Sequence, residues 1–390
     1  LPTNGDGDFT TTRASVATRV NENGLIEEVA ANVPRLDYSD GACPSLLLEP
    51  TSTNKIQYSE DFTQGWGLAN ATIVSNSAIS PNGLSNASTL TTSVFGGGLS
   101  DSFAVSDGNL TFSLFVKKGT TNGIRLRIDA STDSDGFFDL VNNTVYSSTD
   151  DASIESLGNG WYKISVSANI ISFSKVAIYT TDGEANYENG SVYIYGAQIE
   201  QLSYSTSYIK NEGTALGVTR VADTATGAGN ASTFNDSEGV LIAEISTLAD
   251  DLVAEGISIS DETINNRVVI FKWTTPNSIK VRVASGGTNY FDKTVSVSDI
   301  TAINKIAIKY KQNDFSLWLN GIELETDTSG ITPIGLSKLN FNGATSPSAF
   351  YGNTKQIQYF DSALNDSDLE KLTSWTSFTA MANGQSYTII

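Results

Sequence analysis

The chain has 390 residues, with 43 acidic side chains and no histidine. Without imidazole there is no Ser-His-Asp triad, no imidazole general base and no imidazole metal ligand, which leaves carboxylate, lysine or tyrosine chemistry. Glu323 and Glu325 flank Leu324, so strict alternation would put both acids on one face of a strand. A retaining glycosidase needs two carboxyl groups about 5–5.5 Å apart. These two follow a hairpin turn and lack the third acid of an E-x-D-x-x-E strand, and Gln356-Ile357-Gln358 offers no histidine for a lyase. The residues therefore read as non-catalytic. Alternate aspartates occur in two turns, Asp6 and Asp8 in NGDGD and Asp133 and Asp135 in STDSDG. That spacing suits the hard oxygen ligands of Ca²⁺, the one cofactor suggested here. The distal glutamate of a full calcium loop is missing, and most Asp-rich turns are simply turns.

Recognition without catalysis is the other chemistry available. Flat rings stack on the apolar face of a sugar while nearby polar groups hydrogen-bond its hydroxyls. Trp66 and Trp161 lie in strand-like runs and read as packing. Tyr146 and Tyr187 lie by loops and are the better glycan-binding positions, joined in the second half of the chain by Trp273 and Tyr290. Arg125 and Arg127 alternate with Leu126, and with Asp129 they form a polar stripe. Such a stripe suits an acidic glycan, although a solvated strand face is the commoner reason for one.

The elements that must hold these residues read as β-strands. Leu110, Phe112, Leu114 and Val116 alternate with polar residues broken only by Phe115, so one face is buried and the other half exposed. Ile124, Leu126 and Ile128 follow, then Tyr162, Ile164, Val166 and Ala168 after Gly158-Asn159-Gly160. Val192 to Glu200 starts apolar on both faces, with Val192 and Ile194 on one and Tyr193, Tyr195, Ala197 and Ile199 on the other. Gln198 and Glu200 then turn the first face polar. That strand is expected to close one sandwich and to leave it as surface.

Beyond about residue 219 a second series begins. It contains GVLIAEIS, then Ile279, Val281 and Val283 inward with Lys280 and Arg282 outward, then Ile306, Ile308 and Tyr310 opposite Lys305, Lys309 and Lys311. Asn320-Gly321 is a strong hairpin signal. Ser367 with Glu370 reads as a capping box for a short helix carrying Leu369 and Leu372. Upstream, Asn21 to Gly24 separates two short β-prone runs, and Leu46, Leu47 and Leu48 need a surface to dock on.

Bulk composition narrows the partners. Charged residues are 17% of the chain and the net charge is −20, which argues against nucleic acid and against docking on anionic lipid. No apolar run approaches the roughly 20 residues that span a bilayer, and no signal peptide is read. Cys43 is the single cysteine, so no disulfide forms within the chain. Leu1 in the place of methionine implies an N-terminus shortened by processing or numbering.

The N-terminal stretch TRASVATRVNENGLIEEVAANVPRLDY, followed by GACPSLLLEPTSTN and YSEDF, resembles a segment of bacteriophage virion proteins, especially tail-fibre and receptor-binding proteins. FSLFVKKGT, GNGWYKISV and YIYGAQIE resemble carbohydrate-binding modules, and KIAIKYKQNDFSLWLNGIEL resembles paired strands of laminin-G or concanavalin A-like domains. The resemblance implies an all-β chain of two tandem antiparallel β-sandwiches, the first jelly-roll-like and the second concanavalin A/laminin-G-like, behind an extended N-terminal arm. The expected divisions are an arm at 1–55, a first sandwich at 56–210, a linker at 211–218, a second sandwich at 219–375 and a tail at 376–390. The implied role is a fibre protein on the virion surface, extracellular after release, docked to other virion proteins through its arm. It would recognise a bacterial surface glycan through the second sandwich or the cleft between the two, as a homo-oligomer in the manner of trimeric fibres. A capsid-decorating or head-fibre protein and a polysaccharide-degrading enzyme are the alternatives.

Overall fold

The apolar alternation does build two β-sandwiches, and the computed structural model describes residues 9–344, 348–375 and 380 of the chain. The front sheet of the first has six strands in the spatial order Thr144–Ser148, Ser134–Asp139, Gly123–Asp129, Lys175–Thr181, Gly98–Asp101 and Gly67–Ala69. Its back sheet runs Asp151–Gly158, Trp161–Ile170, Gly108–Lys118, Gly190–Glu200, Ala87–Thr92 and Ala71–Ala78. The inward residues of both sheets, Leu110, Phe112, Leu114, Ile124, Leu126, Val166 and Ile178 among them, meet in one core. Trp66 and Trp161 are buried, as strand aromatics usually are.

The second sandwich packs a seven-stranded sheet on a five-stranded one. The larger sheet runs Ile322–Asp327, Phe315–Leu319, Asn304–Lys311, Glu238–Thr247, Gly352–Phe360, Ser45–Leu48 and Arg35–Asp37. The smaller runs Thr288–Ser296, Ser278–Ser285, Arg267–Lys272, Glu255–Ser260 and Lys338–Asn340. Ile306, Ile308 and Tyr310 enter this core as their alternation requires. Asn320 and Gly321 both have positive φ, as a two-residue hairpin of matching twist demands.

Leu46 to Leu48 find their surface here, since their strand pairs with Gly352–Phe360 on one side and with the edge strand Arg35–Asp37 on the other. The helix Asp366–Thr373 covers the outer face of that sheet over Val240, Ile242, Ala307 and Trp318. Its N-cap is Asn365, whose side chain accepts from the Asp368 N–H. The expected box at Ser367 and Glu370 is thus displaced by two residues, because Asn365 is the extended residue immediately before the first helical one, Asp366.

The strand Gly190–Glu200 departs from its expected phase. Gly196 has φ +60, and pairing with Gly108–Lys118 slips between Ser113 and Phe115. This β-bulge swaps the faces. Val192, Ile194, Ala197 and Ile199 all point into the main core, while Tyr195 joins Phe115, Trp161, Tyr208 and Ile26 in a second cluster on the back of the sheet. A Cβ at Gly196 would stand 2.8 Å from the Phe115 ring, so the close approach itself calls for glycine. Gln198 and Glu200 are buried rather than surface residues. They lie under the segment Thr206–Ile209, which in turn accepts a hydrogen bond from Thr18 of the arm's hairpin, Ala17–Val20 with Ile26–Val29.

A buried ionic cluster joins these parts. Arg35 donates to Glu49 at 2.5 Å and to Asp223, Arg13 donates to Asp223 at 2.8 Å, and Arg220 lies 2.7 Å from Glu49. Glu200 accepts from Ser52 at 2.6 Å, Gln198 at 2.8 Å and the backbone and hydroxyl of Thr206. Arg35 has no exposed surface.

Burial pushes the Glu49 carboxyl up, but Arg220, Arg35 and Ser207 more than reverse this and hold it at about 2, against an ordinary value of 4.5. A depressed carboxylate stabilises the fold fully above its unfolded value and loses that contribution as pH falls from 4.5 through 2. The shift corresponds to about 3 kcal/mol. The melting temperature of the wild type is therefore expected to fall steeply below pH 4.5. Glu49→Gln should melt lower at pH 6 and show a flatter acid limb. Superimposable curves for the two proteins would show that the cluster does not govern acid stability.

Candidate functional site

On the front sheet of the first sandwich the outward residues are set by strand register. Arg125 stands directly opposite Phe137 on one side and Tyr179 on the other, and Tyr179 stands opposite Gly98. Arg127 stands opposite Asp135 and Ala177. At Gly98 a Cβ would meet the Ile178 carbonyl at 2.2 Å and the Tyr179 ring at 2.8 Å. Only glycine lets that ring lie across its neighbour strand.

The centre of the face is Arg125. Its guanidinium makes a two-pronged bond to Asp135, Nε to Oδ1 at 2.7 Å and Nη2 to Oδ2 at 2.8 Å, and Nη1 donates to the Tyr187 hydroxyl. Its Cζ is 5.0 Å from the Phe137 ring centre, 5.4 Å from Tyr179 and 5.6 Å from Tyr187. The charge is thus spent within the protein, and Arg125 is only 8% exposed. Arg127 is likewise occupied by Asp129 and Asp133, with Asp135 3.6 Å away, and Lys175 is 3.6 Å from Asp129. Three cations face three carboxylates, so the expected solvated or anion-seeking stripe is a closed, neutral network.

Above it the rings continue outward. Tyr179 and Tyr187 have centroids 5.4 Å apart, and Tyr187 and Phe95 are 5.1 Å apart in a T-shaped arrangement. Phe95 is 71% exposed. Burial first, and the nearby Asp129 next, push the Tyr179 phenol up, so it keeps its proton and can donate. The result is an aromatic ridge fixed from below by a paired arginine, with a tyrosine hydroxyl held in one orientation. Such a surface can stack on and hydrogen-bond a flat polar ligand; it presents no free nucleophile.

Of the residues singled out from sequence, Arg125, Arg127, Asp133, Asp135 and Tyr187 come together here. Tyr146 is 51% exposed on the edge strand Thr144–Ser148, two strands from Arg125. Trp273 and Tyr290 stand on the second sandwich, both half-buried. Trp273 lies beside Phe271 with Lys280 Nζ 4.4 Å above its ring, and Tyr290 packs by Gly330. Asp133 and Asp135 are engaged by the two arginines, and Asp6 and Asp8 lie outside the described residues. Among the described residues no group of three or more His, Cys, Asp or Glu side chains is arranged around a metal.

Phe95, Phe137 and Tyr179 were not singled out from sequence. The alternation RLRID and VAIYT held the latent signal for Tyr179, but the partner strands were not known. The apolar tail residues Phe378, Met381, Tyr387, Ile389 and Ile390 are outside the described residues, whereas Trp375 lies under Lys305, 4.8 Å from its ring.

The two acids weighed for catalysis do not converge. Pairing of Ile322–Asp327 with Phe315–Leu319 slips between Leu317 and Trp318, so Glu323 opposes Trp318 while Glu325 opposes the core residue Leu317. The bulge sends the carboxylates to opposite faces, Glu323 toward Asp366 and Lys309 and Glu325 toward Lys293. The cleft where the arm meets both sandwiches, lined by Asp37, Glu49, Glu155, Lys163, Ser207 and Asn353, holds about 150 Å³. That is below the range of small-molecule pockets.

No protein-family model matches the chain, and no curated protein matches it. Among solved structures it is similar to the CBM40 module of a Ruminococcus gnavus IT-sialidase bound to α2,3-sialyllactose. The identity is 15% and the TM-score 0.32, over 38% of this chain and 94% of that one. Domain 4 of AbnA, a GH43 extracellular arabinanase from Geobacillus stearothermophilus, in complex with arabinotriose, gives 11% and 0.33 over 42% and 84%. The mouse laminin α1 chain domains LG4-5 give 11% and 0.25 over 69% and 88%. At these scores none of the likenesses bears on what this chain binds. The all-β assignment stands on its own sheets.

The Arg125 clamp has a measurable consequence. Removing Asp135 leaves a guanidinium that is 8% exposed without its carboxylate, a change that costs about 3 kcal/mol. Asp135→Ala is expected to lower the urea midpoint accordingly, and Asp135→Ala with Arg125→Leu to recover much of the loss. A single variant as stable as the wild type would show that the pair is not a structural clamp.

Proposed function

We propose that this chain is a non-catalytic glycan-binding protein whose first sandwich recognises a neutral saccharide on the ridge formed by Phe95, Tyr187 and Tyr179. The observation that carries this reading is the exposed Phe95 ring, held edge-to-face against a Tyr187 whose hydroxyl is fixed by the buried Arg125. Rings on rigid strands lose little freedom on binding, and pyranose faces stack on them while ring hydroxyls meet the Tyr187 oxygen. The neutral charge balance of the face favours neutral sugars over acidic ones.

For the biological setting we propose a bacteriophage fibre or receptor-binding protein that contacts a bacterial surface glycan and attaches to other virion proteins through its N-terminal region. The support is the resemblance of the first 55 residues to segments of virion proteins and the divergence of Glu323 from Glu325. Gold-labelled antibody against the chain should decorate the fibre tips of virions. Decoration of the capsid would favour the head-fibre alternative instead.

Binding of the full chain to an array of bacterial and neutral plant glycans tests the recognition. Phe95→Ala should weaken binding about tenfold, or about 1.4 kcal/mol, with an unchanged melting temperature because the ring is mostly exposed. Tyr187→Ala should weaken it further. Retention on no glycan, or wild-type affinity in Phe95→Ala, would remove the site.

A further inference from the structure

The outer face of the smaller sheet of the second sandwich has the opposite electrostatic character. Arg267 and Arg282 lie on neighbouring strands, diagonal across the pair Val269 and Arg282, and Lys280 follows on the same face opposite Phe271. Asp292 is their shared carboxylate, 3.1 Å from Lys280 and 3.2 Å from Arg282. Arg267 forms no ion pair among the described residues. Among the described residues its acceptor is the Gly343 carbonyl. Three cations therefore share one acid in a chain whose net charge is −20.

Two of the guanidinium N–H groups are buried and unbonded. Arg267 is 7% exposed, and both its Nε and the Nε of Arg282 lack a partner. Buried donors without partners are rare, and a buried cation without a counter-charge is costly. The Phe271 ring, 5.6 Å from Arg267 Cζ, offsets part of that cost. Burial first, and the neighbouring Arg282 second, push Arg267 down to about 10, which still leaves it charged at neutral pH. Beside these cations, Trp273 and Phe271 lie 5.6 Å apart and Lys280 caps the indole. The face thus offers what an oxyanion on a sugar requires, namely one guanidinium without a counter-charge among the described residues and a second with a free Nε–H, next to flat rings.

We infer that Arg267, Arg282 and Lys280 form a second binding site, specific for the sulfate or carboxylate groups of an acidic polysaccharide, with Trp273 stacking on the adjoining sugar ring. A planar guanidinium engages either oxyanion through paired N–H donors. Because the rest of the surface repels a polyanion, binding depends on this local cluster and not on the long-range field. The site is separate from the Phe95 ridge and does not depend on it.

The full-length chain is measured by calorimetry against a sulfated galactan, a polygalacturonate and an uncharged dextran of matched length, at fixed ionic strength. Binding to one or both acidic polymers and none to dextran is expected, and the two acidic arms separate sulfate from carboxylate recognition. Lys280→Gln with Arg282→Gln should weaken that binding at least tenfold, and Phe95→Ala should leave it unchanged. Arg267→Met, which removes an uncompensated charge, should melt higher than the wild type yet bind the acidic polymer at least tenfold more weakly. Should Arg267→Met fold poorly, the Lys280 and Arg282 double variant decides alone. Equal binding to dextran and the acidic polymers, no binding to either acidic polymer, or wild-type affinity in the double variant would overturn the assignment.

Discussion

Three arginines buried between the sandwiches around the two carboxylates Glu49 and Asp223, with Glu200 hydrogen-bonded alongside, are the constraint on which the rest of the structure depends. Arg13 and Arg35 come from the N-terminal region, and Arg220 from the segment entering the second sandwich. Glu49 precedes the pair Ser52–Asn54 with Val218–Arg220, Glu200 ends the last strand of the first sandwich, and Asp223 lies just beyond Arg220. No one of these segments can bury its charge alone, because a lone ion out of water costs several kcal/mol. Only when all of them meet does each guanidinium have a carboxylate within ion-pair distance, although among the described residues the Nε atoms of Arg35 and Arg220 stay without an acceptor. A buried ionic cluster is weak evidence for net stability, but it penalises wrong arrangements heavily. Here it selects the one arrangement in which the arm threads between the sandwiches and lends Arg35–Asp37 and Ser45–Leu48 to the larger sheet.

That dependence explains what was legible in the sequence. Local periodicity found the strands, since Ile124, Leu126 and Ile128 or Ile306, Ile308 and Tyr310 each declare one buried face without reference to a partner. Turn chemistry found the hairpin at Asn320-Gly321. Long-range burial was not legible. Gln198 and Glu200 look like surface because the residues that cover them, Ser52, Thr206 and Ile209, lie elsewhere in the chain. Phe115 looks like an interruption for the same reason, although it anchors the cluster beneath the hairpin.

Alternation also fails wherever a bulge intervenes, and both of the consequential misreadings are of this kind. At Gly196 the slip reverses the faces of a strand, which moves Ala197 and Ile199 from the back of the sheet into the main core. At Leu324 it separates Glu323 from Glu325 and removes the one acid pair that a period of two had suggested. A one-residue slip exchanges inside for outside, so a single bulge weighs more than several correctly read strands. The binding face was legible only in part for a related reason. Arg125 and Tyr187 were visible as residue types, whereas the rows that bring Phe137 and Tyr179 to Arg125 exist only once register is fixed.

The two faces differ in how arginine is used, and that difference is what assigns them different ligands. On the first sandwich Arg125 is bonded to Asp135 through two of its nitrogens and to Tyr187 through the third, so it holds rings in place and exerts little field outside the protein. On the second sandwich Arg267 has the Phe271 ring beside it but, among the described residues, no acid within ion-pair distance, and Asp292 is already divided between Lys280 and Arg282. The same residue type is therefore a scaffold in one place and an unsatisfied donor in the other. Sequence patterning, with Arg-Leu-Arg in one strand and Lys-Val-Arg in the other, does not distinguish them. The deciding feature is whether the neighbouring strand supplies a carboxylate in register: Asp135 does so for Arg127 and reaches Arg125, whereas Ser260 and Ala284 stand opposite Arg267.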